Sequence, residues 1–176
     1  MWAMRYPLRF FIGTLLAFLG LVGVGYAERW GVIRSEIARN FPRVERISTQ
    51  ELAREIERQP PPVILDVRTE AEFAVSHLVG ARRVEPGSDP FQISLRKDTP
   101  IVTYCSVGYR SAAFAERLKA AGYTRVRNLD GSIFQWANEG RPLWRDGQAT
   151  HKVHPYNGIW GTLLNAEYRA SVPDAD

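Results

Sequence analysis

Three short apolar runs, separated by stretches of helical character, constrain the fold of this chain more than any other feature. They are Val63-Ile-Leu-Asp-Val67, Ile101-Val-Thr-Tyr104 and Arg125-Val-Arg-Asn-Leu129. Runs of four or five apolar-rich residues between breakers read as buried strands. Ser48-Thr-Gln-Glu51 is a capping box and opens a helix to about Gln59, stopped by Pro60-Pro61-Pro62. Glu70 to about Ser76 reads as a short helix. Ser111 to Ala121 reads as a longer one, with Phe114, Leu118 and Ala121 on one face and Gly122 as its stop. Ile133 to Asn138 forms the last, before Gly140 and Pro142. Strands alternating with helices, each strand apolar on both faces, predict an α/β fold with a central, mainly parallel sheet covered on two sides. In such sheets ligands bind beyond the carboxyl ends of the strands. Cys105 directly follows the run 101–104, so chemistry is expected there.

The 176 residues, 45% of them hydrophobic, suffice for one compact core. The net charge is +4, and the first 27 residues contribute Arg5 and Arg9 with no acid. So mild a balance, without clustered Lys and Arg, argues against nucleic acid as a partner. Arg82-Arg83 and Arg125-Val-Arg127 read as solvated surface. Cys105 is the one cysteine, which excludes an internal disulfide and a cysteine-rich metal site. His151 and His154 lie three apart with no third ligand candidate beside them, so no metal is expected.

Residues 10–27 hold no charge and follow Arg5 and Arg9. The segment predicts either a transmembrane anchor or a signal peptide cleaved after Ala27. Export of the following domain is expected, to a bacterial-type inner membrane or periplasm. Arg29, Arg34, Arg39 and Arg43 downstream leave the cytoplasmic orientation open. Residues 28–43 read as an amphipathic connector helix, with Trp30, Ile33, Ile37 and Phe41 at helical spacing and Pro42 as its end.

The reactive stretch is Cys105-Ser106-Val107-Gly108-Tyr109-Arg110-Ser111, between a strand and a helix. A tight loop closing onto a helix start turns successive N–H groups inward as an anion nest. Gly108 permits the backbone angle this requires. The helix terminus adds partial positive charge and Arg110 a full one. All three favour a thiolate, and hence a nucleophile, at Cys105.

At this point the chain resembles the rhodanese family. Asp66-Val67-Arg68, Glu72-Phe73 and His77-Leu78-Val79-Gly80-Ala81 resemble its first signature. Cys105 to Ser111 resembles its active-site loop, and Leu129-Asp130-Gly131 with Trp136 its closing signature. The resemblance places a rhodanese-like three-layer domain at 44–145, followed by a C-terminal extension, 146–176. It implies a sulfurtransferase in which Cys105 takes a sulfane sulfur from a small donor, thiosulfate or a persulfide or polysulfide. The sulfur is held as a persulfide and passed to a thiol or to cyanide. No cofactor is implied. Ser106, Val107, Gly108, Tyr109 and Arg110 are the expected substrate-binding residues; Asp66, Arg68 and Ser111 are expected to support the site. Neutral Ser106 and Val107 stand where efficient thiosulfate users of the family often carry basic side chains. Val79 and Asp130 stand where a Pro and a Gly are usual.

Other side chains have plainer roles: Arg68 is expected to pair with Glu72, His77 to hold a loop by hydrogen bonding, and Trp136 to lie in the core. The same thiolate also suits a non-enzymatic persulfide carrier or a redox-sensing module. A related phosphatase chemistry uses five residues between Cys and Arg, whereas this loop has four, a cradle better sized for one sulfur than for a phosphoryl group. Residues 144–176, with Trp144, Tyr156, Trp160 and Tyr168, carry no motif and read as a tail packed on the domain.

Overall fold

A computed structural model describes residues 25–90 and 93–171. Two compact units divide between Val32 and Ile33, within the first described helix, α1 (Tyr26–Asn40). In the first unit the rings of Tyr26 and Trp30 meet edge to face, centroids 6.4 Å apart. Most of the apolar run 10–27, and with it the anchor or signal peptide, lies outside the described residues. Among those described, no helix is long and apolar enough to cross a membrane.

The second unit continues through β1 (Glu45–Ile47), α2 (Thr49–Ile56), β2 (Val63–Asp66), α3 (Glu70–Val75), β3 (Arg82–Arg83), β4 (Ile101–Tyr104), α4 (Tyr109–Ala120), β5 (Val126–Leu129), α5 (Ser132–Asn138), β6 (Leu143–Arg145) and β7 (Gln148–Thr150). Five strands form one sheet in the order β1-β5-β4-β2-β3, every pair parallel. The expected α/β architecture is therefore present, with β4 and β5, buried almost throughout, at its centre. Ile64, Leu65, Ile101, Val102, Val126 and Leu129 fill the core, and α4 packs Phe114, Ala115 and Leu118 against β4 and β5.

The Ser48 capping box forms in full, Ser48 Oγ accepting from Glu51 N–H while Glu51 reaches back to Ser48 N–H. Its helix ends at Ile56, three residues before the expected stop. Helix α4 starts at Tyr109, two residues earlier than expected, with Gly108 at the left-handed φ of 110° as its cap. Arg82-Arg83 does more than solvate: its backbone is an edge strand, Arg82 in register with Leu65 and Arg83 with Asp66. The helix read as a connector turns its apolar residues Ile33, Ile37 and Phe41 inward, where they are buried.

Candidate active site

Three strands deliver their carboxyl ends to one place. β4 leads into Cys105, β2 into Val67-Arg68 and β5 into Asp130. Cys105 is 1% exposed. Gly108 N–H donates to its Sγ at 3.1 Å, which stabilises negative charge on the sulfur. The neighbouring carbonyls of the loop, at 105, 106 and 108, are bound elsewhere and brace it. Cys105 O accepts from Ile133 N–H (3.2 Å) and Ser106 O from Phe134 N–H (3.1 Å), both at the start of α5. Gly108 O accepts from Asn128 Nδ2 (3.0 Å), from Ser111 Oγ (3.2 Å) and from Ala112 N–H (3.1 Å). Cys105 N–H donates to Ser132 Oγ at 3.2 Å. A Cβ on Gly108 would stand 3.3 Å from Ile37 Cδ1, so α1 closes the back of the loop.

Arg110 is held in place by Glu72, its Nη1 and Nη2 gripping the carboxylate in a bidentate pair at 2.9 and 2.7 Å. Nη2 also donates to Ser106 Oγ (3.0 Å), and Ser106 Oγ donates to Glu72 Oε1 (2.8 Å). The other Glu72 oxygen accepts from Thr69 N–H and Thr69 Oγ1, both at 3.0 Å, as the cap of α3. Burial pushes the Glu72 carboxyl up. The Arg110 hydrogen bonds and charge, the Thr69 amide and the charge of Arg68 outweigh it and bring it down to about 2. Burial likewise opposes the charge on Arg110, yet the hydrogen bonds to Glu72, then the charges of Cys105 and Glu72, raise it further.

The expected pairing of Arg68 with Glu72 does not occur. Arg68 pairs with Asp66 instead, Nε to Oδ1 at 2.9 Å and Nη2 to Oδ2 at 2.6 Å, with both side chains at 0% exposure. Asp66 is nearer in the chain and faces the same interior, whereas both oxygens of Glu72 are already taken. Arg68 Nη2 also donates to Ser76 O (2.6 Å), tying the end of β2 to the end of α3.

The remaining expected residues separate by role. Val107 is buried two residues after Cys105, and the Tyr109 ring meets Phe41 edge to face at 5.2 Å. His77 Nδ1 lies 3.0 Å from Leu78 O while its ring stacks on Phe73, and Trp136 is buried with Nε1 donating to Pro142 O. Asp130 accepts from Arg34 Nε at 3.0 and 3.1 Å, which gives this departure from the family pattern a partner on α1. Sequence reasoning missed Glu72 as a member of the site. It also missed Tyr156, whose ring centroid lies 4.7 Å from Arg110 Cζ. The spacing Thr69-x-x-Glu72 marks a helix start, as Ser48-x-x-Glu51 does with an exposed Glu51, and does not mark burial; no local signal pointed to Tyr156.

A family model of the rhodanese-like domain matches residues 48–139. A sulfurtransferase of Allochromatium vinosum is 33% identical over 101 residues, 57% of this chain and 94% of that protein. The tRNA uridine(34) hydroxylase of Listeria welshimeri is 32% identical over 125 residues, 63% of this chain, and the match spans only 39% of that protein's length. Among solved structures, a rhodanese-like domain protein from Staphylococcus aureus superposes with a TM-score of 0.53 at 30% identity, covering 58% of this chain and 99% of that one. The matched segment runs from the capping box at Ser48, through the Cys105 loop, to the end of α5, and the chain belongs to the rhodanese-like domain family.

Proposed function

We propose that this chain is a sulfurtransferase that carries sulfane sulfur as a persulfide on Cys105. The observation that carries the reading is the Gly108 N–H aimed at Cys105 Sγ, in a loop whose carbonyls at 105, 106 and 108 are all engaged away from the sulfur. The sulfurtransferase name of the Allochromatium relative supports it. The Cys105 thiolate attacks the outer sulfur of a small donor, and the sulfur–sulfur bond of the donor breaks with its electron pair on the leaving group. With thiosulfate, Cys105–S⁻ and S–SO₃²⁻ give Cys105–S–S⁻ and SO₃²⁻. A thiophilic acceptor, cyanide in an assay or a thiol in a cell, then removes the outer sulfur and regenerates the thiolate, a two-step covalent cycle. The loop amides stabilise the sulfur anion at each stage. Asp66 and Arg68 hold the end of β2, and Glu72 holds Arg110 and Ser106.

Cys105→Ser is the test. Thiocyanate formation from donor and cyanide should disappear while the circular dichroism spectrum is kept. Mass spectrometry should show one added sulfur on wild-type Cys105 after donor exposure and none on the mutant. Wild-type-like turnover in the mutant would refute the mechanism. The proposal includes an anchor or signal role for residues 10–27, supported by their uncharged composition and the preceding Arg5 and Arg9.

A further inference from the structure

The C-terminal extension reaches the Cys105 site. Tyr156 lies over the guanidinium of Arg110, yet the residue is 42% exposed and has a φ of 67°. A left-handed backbone is unfavourable for a residue with a Cβ. Folding alone does not call for an exposed ring in such a conformation, and strain of this kind gathers at functional sites. The turn that imposes it is braced. Tyr156 N–H donates to His154 Nδ1 (3.0 Å), Asn157 N–H to Pro155 O (2.9 Å) and Gly161 N–H to Asn157 O (2.9 Å). Asn157 Oδ1 accepts from the N–H groups of Ile159 (3.1 Å) and Trp160 (3.0 Å). Upstream, buried Val153 is fixed by exchange with the 168–170 segment, Val153 N–H to Tyr168 O (2.7 Å) and Ala170 N–H to Val153 O (2.9 Å).

Arg110 is thereby enclosed. Glu72 and Ser106 hold its Nη atoms within the guanidinium plane, Tyr156 lies over a face, and the side chain is left 26% exposed. We propose that Tyr156 is a specificity-determining residue that covers Arg110 against dianionic donors, so that the site takes sulfur from a protonated low-molecular-weight persulfide in preference to thiosulfate. The inference rests on sulfur transfer through Cys105.

Charge supports the assignment. Loading from thiosulfate brings two negative charges to a thiolate whose neighbouring cation is already paired with Glu72. Loading from a persulfide brings at most one at the reacting group, and none in its protonated form: Cys105–S⁻ and R–S–SH give Cys105–S–SH and R–S⁻, the proton staying on the transferred sulfur and the electron pair of the broken bond leaving with R–S⁻. His154 supplies no replacement cation. Burial lowers it first; the pull of Glu72 opposes this, and the charges of Arg68 and Arg110 lower it further. Its Nδ1 is already an acceptor for Tyr156 N–H.

Tyr156→Gly removes the ring and suits the left-handed backbone, so the turn is kept. Steady-state kinetics with thiosulfate and with the persulfide of 2-mercaptoethanol, whose carrier group is uncharged, read the effect. The thiosulfate KM should fall by about fivefold, the scale of a cation–π contact, while kcat and the persulfide KM change by less than about twofold. Tyr156→Phe keeps the ring and should keep the wild-type donor ratio. Tyr156→Leu, which fills the position without a π face, should behave as Tyr156→Gly and replaces it if the glycine variant does not fold. A donor ratio unmoved in the Gly and Leu variants, or moved equally in Phe, overturns the proposal. Loading of wild-type Cys105 by mass spectrometry separates the two levels. A wild type that loads while the ratio stays fixed refutes only the role of Tyr156; one that loads from neither donor refutes sulfur transfer, and this inference with it.

Discussion

Replacing Glu72 with Gln should cost the fold more than any exposed ion pair could. The carboxylate is 1% exposed and accepts five hydrogen bonds, from Thr69 N–H, Thr69 Oγ1, Ser106 Oγ and the two Nη atoms of Arg110. Its pKa falls from 4.5 to about 2 in the folded protein. At about 1.4 kcal/mol per unit, the ionised form is favoured by about 3 kcal/mol. A glutamine offers one oxygen where two are used and places an NH₂ against donors, so most of this should be lost. The sign follows from the depressed value: the contribution is complete above the unfolded pKa and declines as pH falls from 4.5 towards 2. Urea unfolding of wild type and Glu72→Gln should therefore differ by about 3 kcal/mol at pH 7, and the difference should shrink by about 2 kcal/mol between pH 5 and pH 3. Other carboxylates titrate in both proteins and cancel. A gap independent of pH, or one under about 1 kcal/mol at pH 7, would refute the reasoning, since about that much is expected of a surface pair.

Gly108→Ala should destabilise the protein by about 1–2 kcal/mol through its φ of 110°, with Ile37 displaced as well; an unchanged melting temperature would show that the loop relaxes without strain. Full-length protein should sediment with membranes or be recovered from the periplasm on fractionation, and recovery solely in the cytosolic fraction would remove the role proposed for residues 10–27.

The strands and the reactive loop were legible because they are local. Val63–Asp66 and Ile101–Tyr104 are apolar runs between breakers, and the loop at Cys105 carries its glycine where the backbone turns left-handed. The pairings of the site were not. Arg68 and Glu72 stand four apart and suggest each other, yet the partner of Glu72 is Arg110, 38 residues away, and that of Arg68 is Asp66. Charge pairing across a fold follows from which interior each side chain enters, and spacing does not encode it. Edge strand β1 escaped notice because three residues with one buried Ile47 carry no periodicity. The extension was opaque for the same reason: it holds its place by 3₁₀ turns at Trp160–Leu163 and Ala166–Tyr168 and by backbone exchange with Val153.

The engagement of the Cys105 and Ser106 carbonyls by α5 has a kinetic meaning. A peptide group is a dipole, and turning one towards an anion during reaction normally requires solvent and backbone to reorganise. For the 105–106 and 106–107 peptides the orientation is settled when β4, β5 and α5 assemble, because Ile133 and Phe134 hold their oxygen ends before any donor arrives. In the proposed cycle the barrier to sulfur transfer then contains little reorganisation of these two peptides. Anything that loosens the first turn of α5 should slow both half-reactions of the proposed cycle together, without a change in Cys105 itself.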